Sequence, residues 1–162
     1  MKRLSRVGVA VALAAVSAVT FSQGAGGPPS PEAQAKAAIE TRQGLFKVIS
    51  SQFGPIGGML RNPDSFNAEL VAKNAARIQV LSEMIPELFA RDTREFKDTK
   101  TRALDGIWAS QADFKAKADA LTKASAAAVA AAKTGDKAAT MAAAADMGKL
   151  GCSPCHDNYR AK

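Results

Sequence analysis

The chain has 162 residues, 23% of them charged and 6% aromatic, with a formal net charge of +7. That length fits one domain, or one domain and a removable segment. Abundant Ala, with Leu, Met, Lys, Glu and Gln, favours helix; the absence of alternating β-branched runs argues against strands. Lys and Arg are interleaved with Asp and Glu rather than gathered among aromatic residues, which excludes a nucleic-acid patch and implies a solvated, mixed-charge surface.

The first segment is a sorting signal. Lys2, Arg3 and Arg6 form a basic start, Val7 to Val19 is a run of small apolar residues, and small residues at 18–25 offer cleavage sites. This is the pattern of a secretory signal peptide, assigned to 1–24, with the domain at 25–162. The apolar run is short for a bilayer span, so no stable membrane anchor is expected. Removing Lys2, Arg3 and Arg6 lowers the formal charge from +7 to +4.

Four helical segments follow. The first opens at Ser30-Pro31-Glu32, a good N-cap with Pro and an acid in the first turn. Ile39, Phe46, Ile49 and Phe53 line one face, and Gly54-Pro55 and Gly57-Gly58 are expected to weaken or end the helix. The second begins after Asn62-Pro63-Asp64-Ser65, carries Val71, Ile78, Leu81, Ile85 and Leu88 inward, and meets a kink or stop at Pro86. Residues 91–106 are polar and form the longest linker.

The third helix begins near Ser110, where Ser110 with Asp113 resembles a capping box. Phe114, Leu121 and Ala128 follow at heptad spacing, and Gly135 suits the position after the helix end. The fourth starts on Asp136 as N-cap and runs through the alanines to the C-terminus. Met141, Gly148, Cys152, Cys155 and Tyr159 share a face of it. Four amphipathic helices with mostly short connections imply an all-α, antiparallel four-helix bundle.

Both cysteines and the one histidine lie in Cys152-Ser153-Pro154-Cys155-His156. Cys-x-x-Cys-His is the attachment signature of c-type haem. Two thiols add across two vinyl groups, and the next histidine is carried under the iron as its ligand. One covalent haem c is therefore expected, with His156 as the metal ligand. Zinc would need two more ligands, and a thioredoxin-like pair would need a βαβ context that is missing. With one histidine, bis-histidine ligation is excluded; a second axial ligand would be Met, Lys, Tyr or nothing. Met59 is the methionine best placed for that, and Met84 reads as core filling. Pro154 is expected to kink the fourth helix, with Gly151 absorbing the bend.

Across nearly the whole mature length the sequence resembles the cytochrome c′ family. The resemblance rests on Arg42-Gln43, Gln52-Phe53-Gly54, Ile107-Trp108, Phe114-Lys115, the haem motif on the last helix, and Tyr159-Arg160 after it. It implies that Cys152 and Cys155 hold the haem and that His156 is the only protein ligand. Arg42 and Gln43 would lie by the propionates, Arg160 near His156, and Thr101 at the haem edge. Low-spin relatives carry a ligating methionine four residues after Arg42, where this chain has Phe46, a phenyl ring without a lone pair. The resemblance thus implies a five-coordinate iron under an apolar lid lacking hydrogen-bond donors, binding nitric oxide and carbon monoxide and carrying electrons. It also implies a periplasmic homodimer joined through the first two helices, with redox partners unnamed. No acid–base pair or nucleophile constellation suggests an enzyme. Two other readings remain: a low-spin carrier with a methionine ligand, and a haem-free helical thiol protein of the periplasm.

Overall fold

The computed structural model describes residues 27–162. The expected leader at 1–24, and the first residues of the domain at 25 and 26, lie outside the described residues.

Helix α1 spans Pro31–Arg61, with the Ser30 hydroxyl accepting from the Ala33 N–H at 3.2 Å as the sequence led us to expect. It does not break at Gly54-Pro55 or Gly57-Gly58. An interior Pro removes one backbone bond and costs about 3 kcal/mol. Burial of Ile56, Gly57 and Met59 just beyond it offsets that cost and carries the helix on to Arg61. Helix α2 spans Ala68–Glu83 behind an Asn67 cap. Met84 interrupts it, and the short α3, Ile85–Leu88, takes Pro86 into its first turn, so Pro86 does divide the second helical segment.

Residues 89–105 form the linker, followed by the short α4, Gly106–Ala109. Helix α5 runs Gln111–Lys133. The expected capping box is absent: the Ser110 side chain makes no cap bond. Asp113 instead accepts a hydrogen bond from the Tyr159 hydroxyl and lies 3.5 Å from Lys117. At the far end Gly135 takes a φ of +76°, the left-handed conformation that a glycine reaches without strain.

Helix α6, Lys137–Asp146, is capped by Asp136 accepting from Ala139 N–H at 3.0 Å. It continues into a π-helical turn, Met147–Cys152, and then α7, Ser153–Tyr159. Helical periodicity alone does not predict the π turn. Its physical cause lies in spacing: Met147, Gly151, Cys155 and Tyr159 recur at steps of four, and a regular helix would rotate such a row by about 40° per step. A wider turn keeps the row facing inward. Pro154 falls in the first turn of α7, where its missing N–H is tolerated.

The long helices form an all-α four-helix bundle, the fourth being α6 with its π and α7 extension. Helix α1 packs on α2 and α6, and α5 packs on α2 and α6. Helices α1 and α5 therefore stand diagonally. Phe89 after α3 meets Phe114 at the start of α5, and Phe114 meets Tyr159 at the end of α7. The N-terminal half of α1, the end of α3, the start of α5 and the C-terminus thus share one end of the bundle. Among the described residues no helix is long and apolar enough to cross a membrane.

Candidate haem site

A cavity of about 870 Å³ opens at that end, between the diagonal helices. This size lies in the range of pockets that bury most of a bound cofactor. Its apolar wall includes Ile39, Phe46, Phe53, Phe89, Phe114 and Leu121. Cys152, Cys155 and His156 line it from the last helix, with Arg160 beside them.

The π turn and Gly151 bring the cysteines close to α5. A Cβ on Gly151 would meet Leu121 Cδ1 at 2.8 Å and Leu121 Cα at 3.1 Å. The sequence reading had Gly151 absorbing a bend; its role in the structure is this close approach. Burial pushes the Cys155 thiol up to about 11 and raises that of Cys152. Both are neutral at physiological pH, unlike the depressed thiols of redox catalysts. Burial lowers the pKa of His156, Arg160 and Arg102 act in the same direction, and Asp157 opposes them. A neutral imidazole is the form that binds a metal. Among the described residues no group of three or more His, Cys, Asp or Glu could hold a metal ion directly. Two neutral thiols and a neutral imidazole on an apolar wall fit a covalently attached haem.

Arg42 lines the cavity, yet it is only 4% exposed and much of its hydrogen bonding is directed elsewhere. Nε donates to Leu88 O at 2.7 Å, Nη2 to Arg91 O at 2.7 Å and Nη1 to Thr93 Oγ1 at 2.8 Å. The guanidinium also lies over the Phe89 ring, 4.6 Å from its centroid, and 5.5 Å from that of Trp108. Trp108 Nε1 donates to Phe89 O and Arg91 O. Arg42 and Trp108 together staple residues 88–93 to the site. Three of the five guanidinium N–H groups are engaged in this staple. Burial holds the Arg42 pKa below its ordinary value, and Arg91 adds to this.

Gln43 Nε2 donates to Lys100 O at 2.9 Å, and the Thr101 hydroxyl accepts from Ala103 N–H at 3.1 Å. Both residues line the cavity. The linker is also stitched to the C-terminus: Leu104 N–H donates to Tyr159 O at 3.0 Å and Ala161 N–H to Arg102 O at 2.8 Å. Arg160 N–H donates to His156 O at 3.2 Å, and its backbone bridges to Ala103.

Phe46 lines the cavity and packs against Phe89, with centroids 6.2 Å apart. The wall is not free of donors, as the sequence suggested: Arg42, Gln43 and Ser50 also line it. The first two are turned to linker carbonyls. Met59 is absent from the lining; it is buried near the other end of α1, where its sulfur accepts from Asn67 N–H at 3.2 Å. Met84 is 43% exposed and does not fill the core. Sequence reasoning missed Phe89 and Ile107 as wall residues. Phe89 opens the linker and Ile107 lies in the short α4 that follows it, and no periodicity predicts the path between them.

Residues 37–160 match the family described as Cytochrome C′. The chain belongs to the cytochrome c′ family. Cytochrome c′ of Rubrivivax gelatinosus is 36% identical over 125 residues, covering 77% of this chain and 95% of that protein. The solved cytochrome c prime from Shewanella frigidimarina is 34% identical, with a TM-score of 0.70 over 79% of this chain and 97% of that one. A mutant cytochrome c prime from Alcaligenes xylosoxidans, solved as a nitric oxide complex, is 28% identical with a TM-score of 0.67, covering 79% of this chain and 97% of that one. This cytochrome c′ accordingly carries one covalent haem c, with Cys152 and Cys155 fitting its attachment.

Proposed function

We propose that this cytochrome c′ is a periplasmic electron carrier and binder of small gases, its five-coordinate iron ligated by His156 alone. When attached, the haem supplies an iron that exchanges one electron and accepts a diatomic ligand. The observation that carries the reading is the composition of the wall: among the described residues lining the cavity there is no methionine, and Phe46 stands one turn after Arg42. Of the other conceivable ligands on the wall, the Tyr159 hydroxyl is committed to Asp113, Lys117 lies 3.5 Å from the same carboxylate, and Lys47 is exposed to solvent.

In this reading Cys152 and Cys155 tether the haem, Arg42 and Gln43 lie towards its propionates, and Thr101 lies at its edge. Arg42 has N–H groups to spare for a carboxylate, a pairing that suits a guanidinium. Arg160 lies beside His156. Phe46 covers the open face, keeps water out and moves aside for a small gas. The nitric oxide complex of the Alcaligenes relative supports that choice of gas. Export through the 1–24 leader would place the protein where haem attachment occurs. Exposed Val48 on α1 and Val80 on α2, 47% and 61% accessible, support a homodimer through those helices.

The test is the optical spectrum of the reduced protein with and without carbon monoxide. A high-spin spectrum that changes on adding carbon monoxide is expected. A six-coordinate low-spin spectrum indifferent to the gas would overturn the reading in favour of the low-spin carrier. Phe46→Met is expected to push the iron towards six-coordination, and an unchanged high-spin spectrum would remove Phe46 from the distal face. The haem-free thiol alternative is settled by mass: the exported protein should weigh one haem more than its mature polypeptide.

A further inference from the structure

Cations border the haem cavity and the linker beside it. Lys47, Lys117, Arg42, Arg102 and Arg160 line the haem cavity. Arg94, Lys97 and Lys100 line a second cavity of about 470 Å³ within the linker, and the two share Thr101 and Ala103 on their walls. Only one acid, Asp105, lines either of them. The two walls thus carry eight cations and one acid, with Asp92, Glu95 and Asp98 interleaved along the same linker. The walls of both cavities are predominantly basic.

Some of that charge is locally engaged. Arg94 pairs with Asp92 at 2.6 Å, and Lys117 lies 3.5 Å from Asp113. Lys47, Lys97, Lys100, Arg102 and Arg160 are exposed, and none has an acidic partner within 4 Å. Leu104, 38% accessible, adds an apolar contact among them. The two carboxylates of an attached haem would reduce the excess without cancelling it.

We propose that this face docks an electron-transfer partner protein through an acidic patch, with Lys97 and Lys100 as its principal steering charges. The proposal rests on the electron-carrier reading above. Opposite charge steers encounter and fixes orientation, and here the steering charges surround the cavity that takes the redox centre. The surface is a linker and a chain end around a concave mouth, not the apolar face of an amphipathic helix by which proteins lie on lipid. That favours a protein over an anionic membrane.

The test compares the haem-loaded protein with Lys97→Glu/Lys100→Glu and with the charge-matched control Lys73→Glu/Lys123→Glu, on exposed positions of α2 and α5. The first readout is oxidation of the reduced protein by ferricyanide. One electron leaves ferrous haem and converts the trianion to ferrocyanide; no bond or proton changes hands. The second is binding of fluorescent poly-L-glutamate, which needs no redox turnover. At low salt the linker variant should react roughly tenfold or more slowly, within the range of electrostatic steering, while the control changes less than half as much. The gap should close near 1 M salt, where screening acts within about 3 Å. Polyglutamate binding should weaken in the linker variant alone. Equal changes in both variants, or none, would overturn the proposal. So would binding of wild type to phosphatidylglycerol vesicles but not to polyglutamate, lost in the linker variant, which would make the partner a membrane. Failure of the electron-carrier reading shows separately: the protein would not exchange an electron with ferricyanide, while polyglutamate would still report on the face.

Discussion

The two ends of the bundle are built from different material. At the site end a chain of aromatic rings, Phe46, Phe89, Phe114 and Tyr159, runs from α1 to α7 with centroids 5.0 to 6.2 Å apart. Arg42 and Trp108 fasten it to the linker carbonyls. At the other end Ile56, Met59 and Val71 from α1 and α2 are buried in the same core as Ala128, Ala132 and Ala144 from α5 and α6. The polar groups there are satisfied locally: Ser125 Oγ donates to Leu121 O and Thr140 Oγ1 to Asp136 O. Small residues let helices close up; rings and a guanidinium hold them apart around a cavity with fixed walls. One end keeps the bundle together and the other gives the cofactor its shape.

The strongest way to break that division is at Arg42. Arg42→Ala removes three hydrogen bonds and takes their donor from the half-buried Leu88 carbonyl and the buried Thr93 hydroxyl. We expect a loss of about 3–5 kcal/mol, as for other buried charge networks, measured by urea unfolding of the haem-loaded protein. The haem spectrum should change with it, because residues 88–93 carry Phe89. A variant that unfolds earlier with an unaltered spectrum would show that the staple serves stability and not the site.

The complementary change is at the alanine end. Ala128 is 0% exposed, and Ala128→Leu should overpack the core by about 1–3 kcal/mol. Its haem spectrum and carbon monoxide response should stay as in wild type. A spectral change as large as that of Arg42→Ala would mean that the two ends are mechanically coupled, and the comparison would fail.

The same contrast explains what could be read in the sequence. Caps are local chemistry, so Ser30, Asp136 and Gly135 declared their roles, and the apolar faces of four helices were visible from spacing. The haem motif declared itself because thioether attachment demands adjacent residues. Pro55 misled because its penalty is local, whereas the burial of Ile56 and Met59 that offsets it is tertiary. Arg42 stood out in the sequence, but its partners at Leu88, Arg91 and Thr93 are 46 to 51 positions away. The basic face was hidden for the same reason: its cations come from α1, the linker, α5 and the C-terminus, and only folding gathers them.

A finer test concerns the link between the start of α5 and the end of α7. The Tyr159 hydroxyl donates to Asp113, which holds the Asp113 carboxyl below its usual value, with Lys117 acting in the same direction. The same bond pushes the Tyr159 phenol up to about 12, with burial as the second cause. The signs give opposite limits. The lowered acid contributes stability that is present above the ordinary carboxylate value of about 4 and lost as pH falls through its folded value. The raised phenol contributes stability present below about 10 and lost as pH rises towards about 12. Tyr159 is the one tyrosine of the chain, so phenolate absorbance titrates it alone. The midpoint should fall back towards 10 in Asp113→Asn, which removes the anion, while the haem spectrum at neutral pH stays in place. A wild-type midpoint near 10 would mean that the bond does not persist in solution. The haem helix would then be held to α5 by Gly151 against Leu121 and by ring packing, and the site end would depend on shape where we assign it a charged tie.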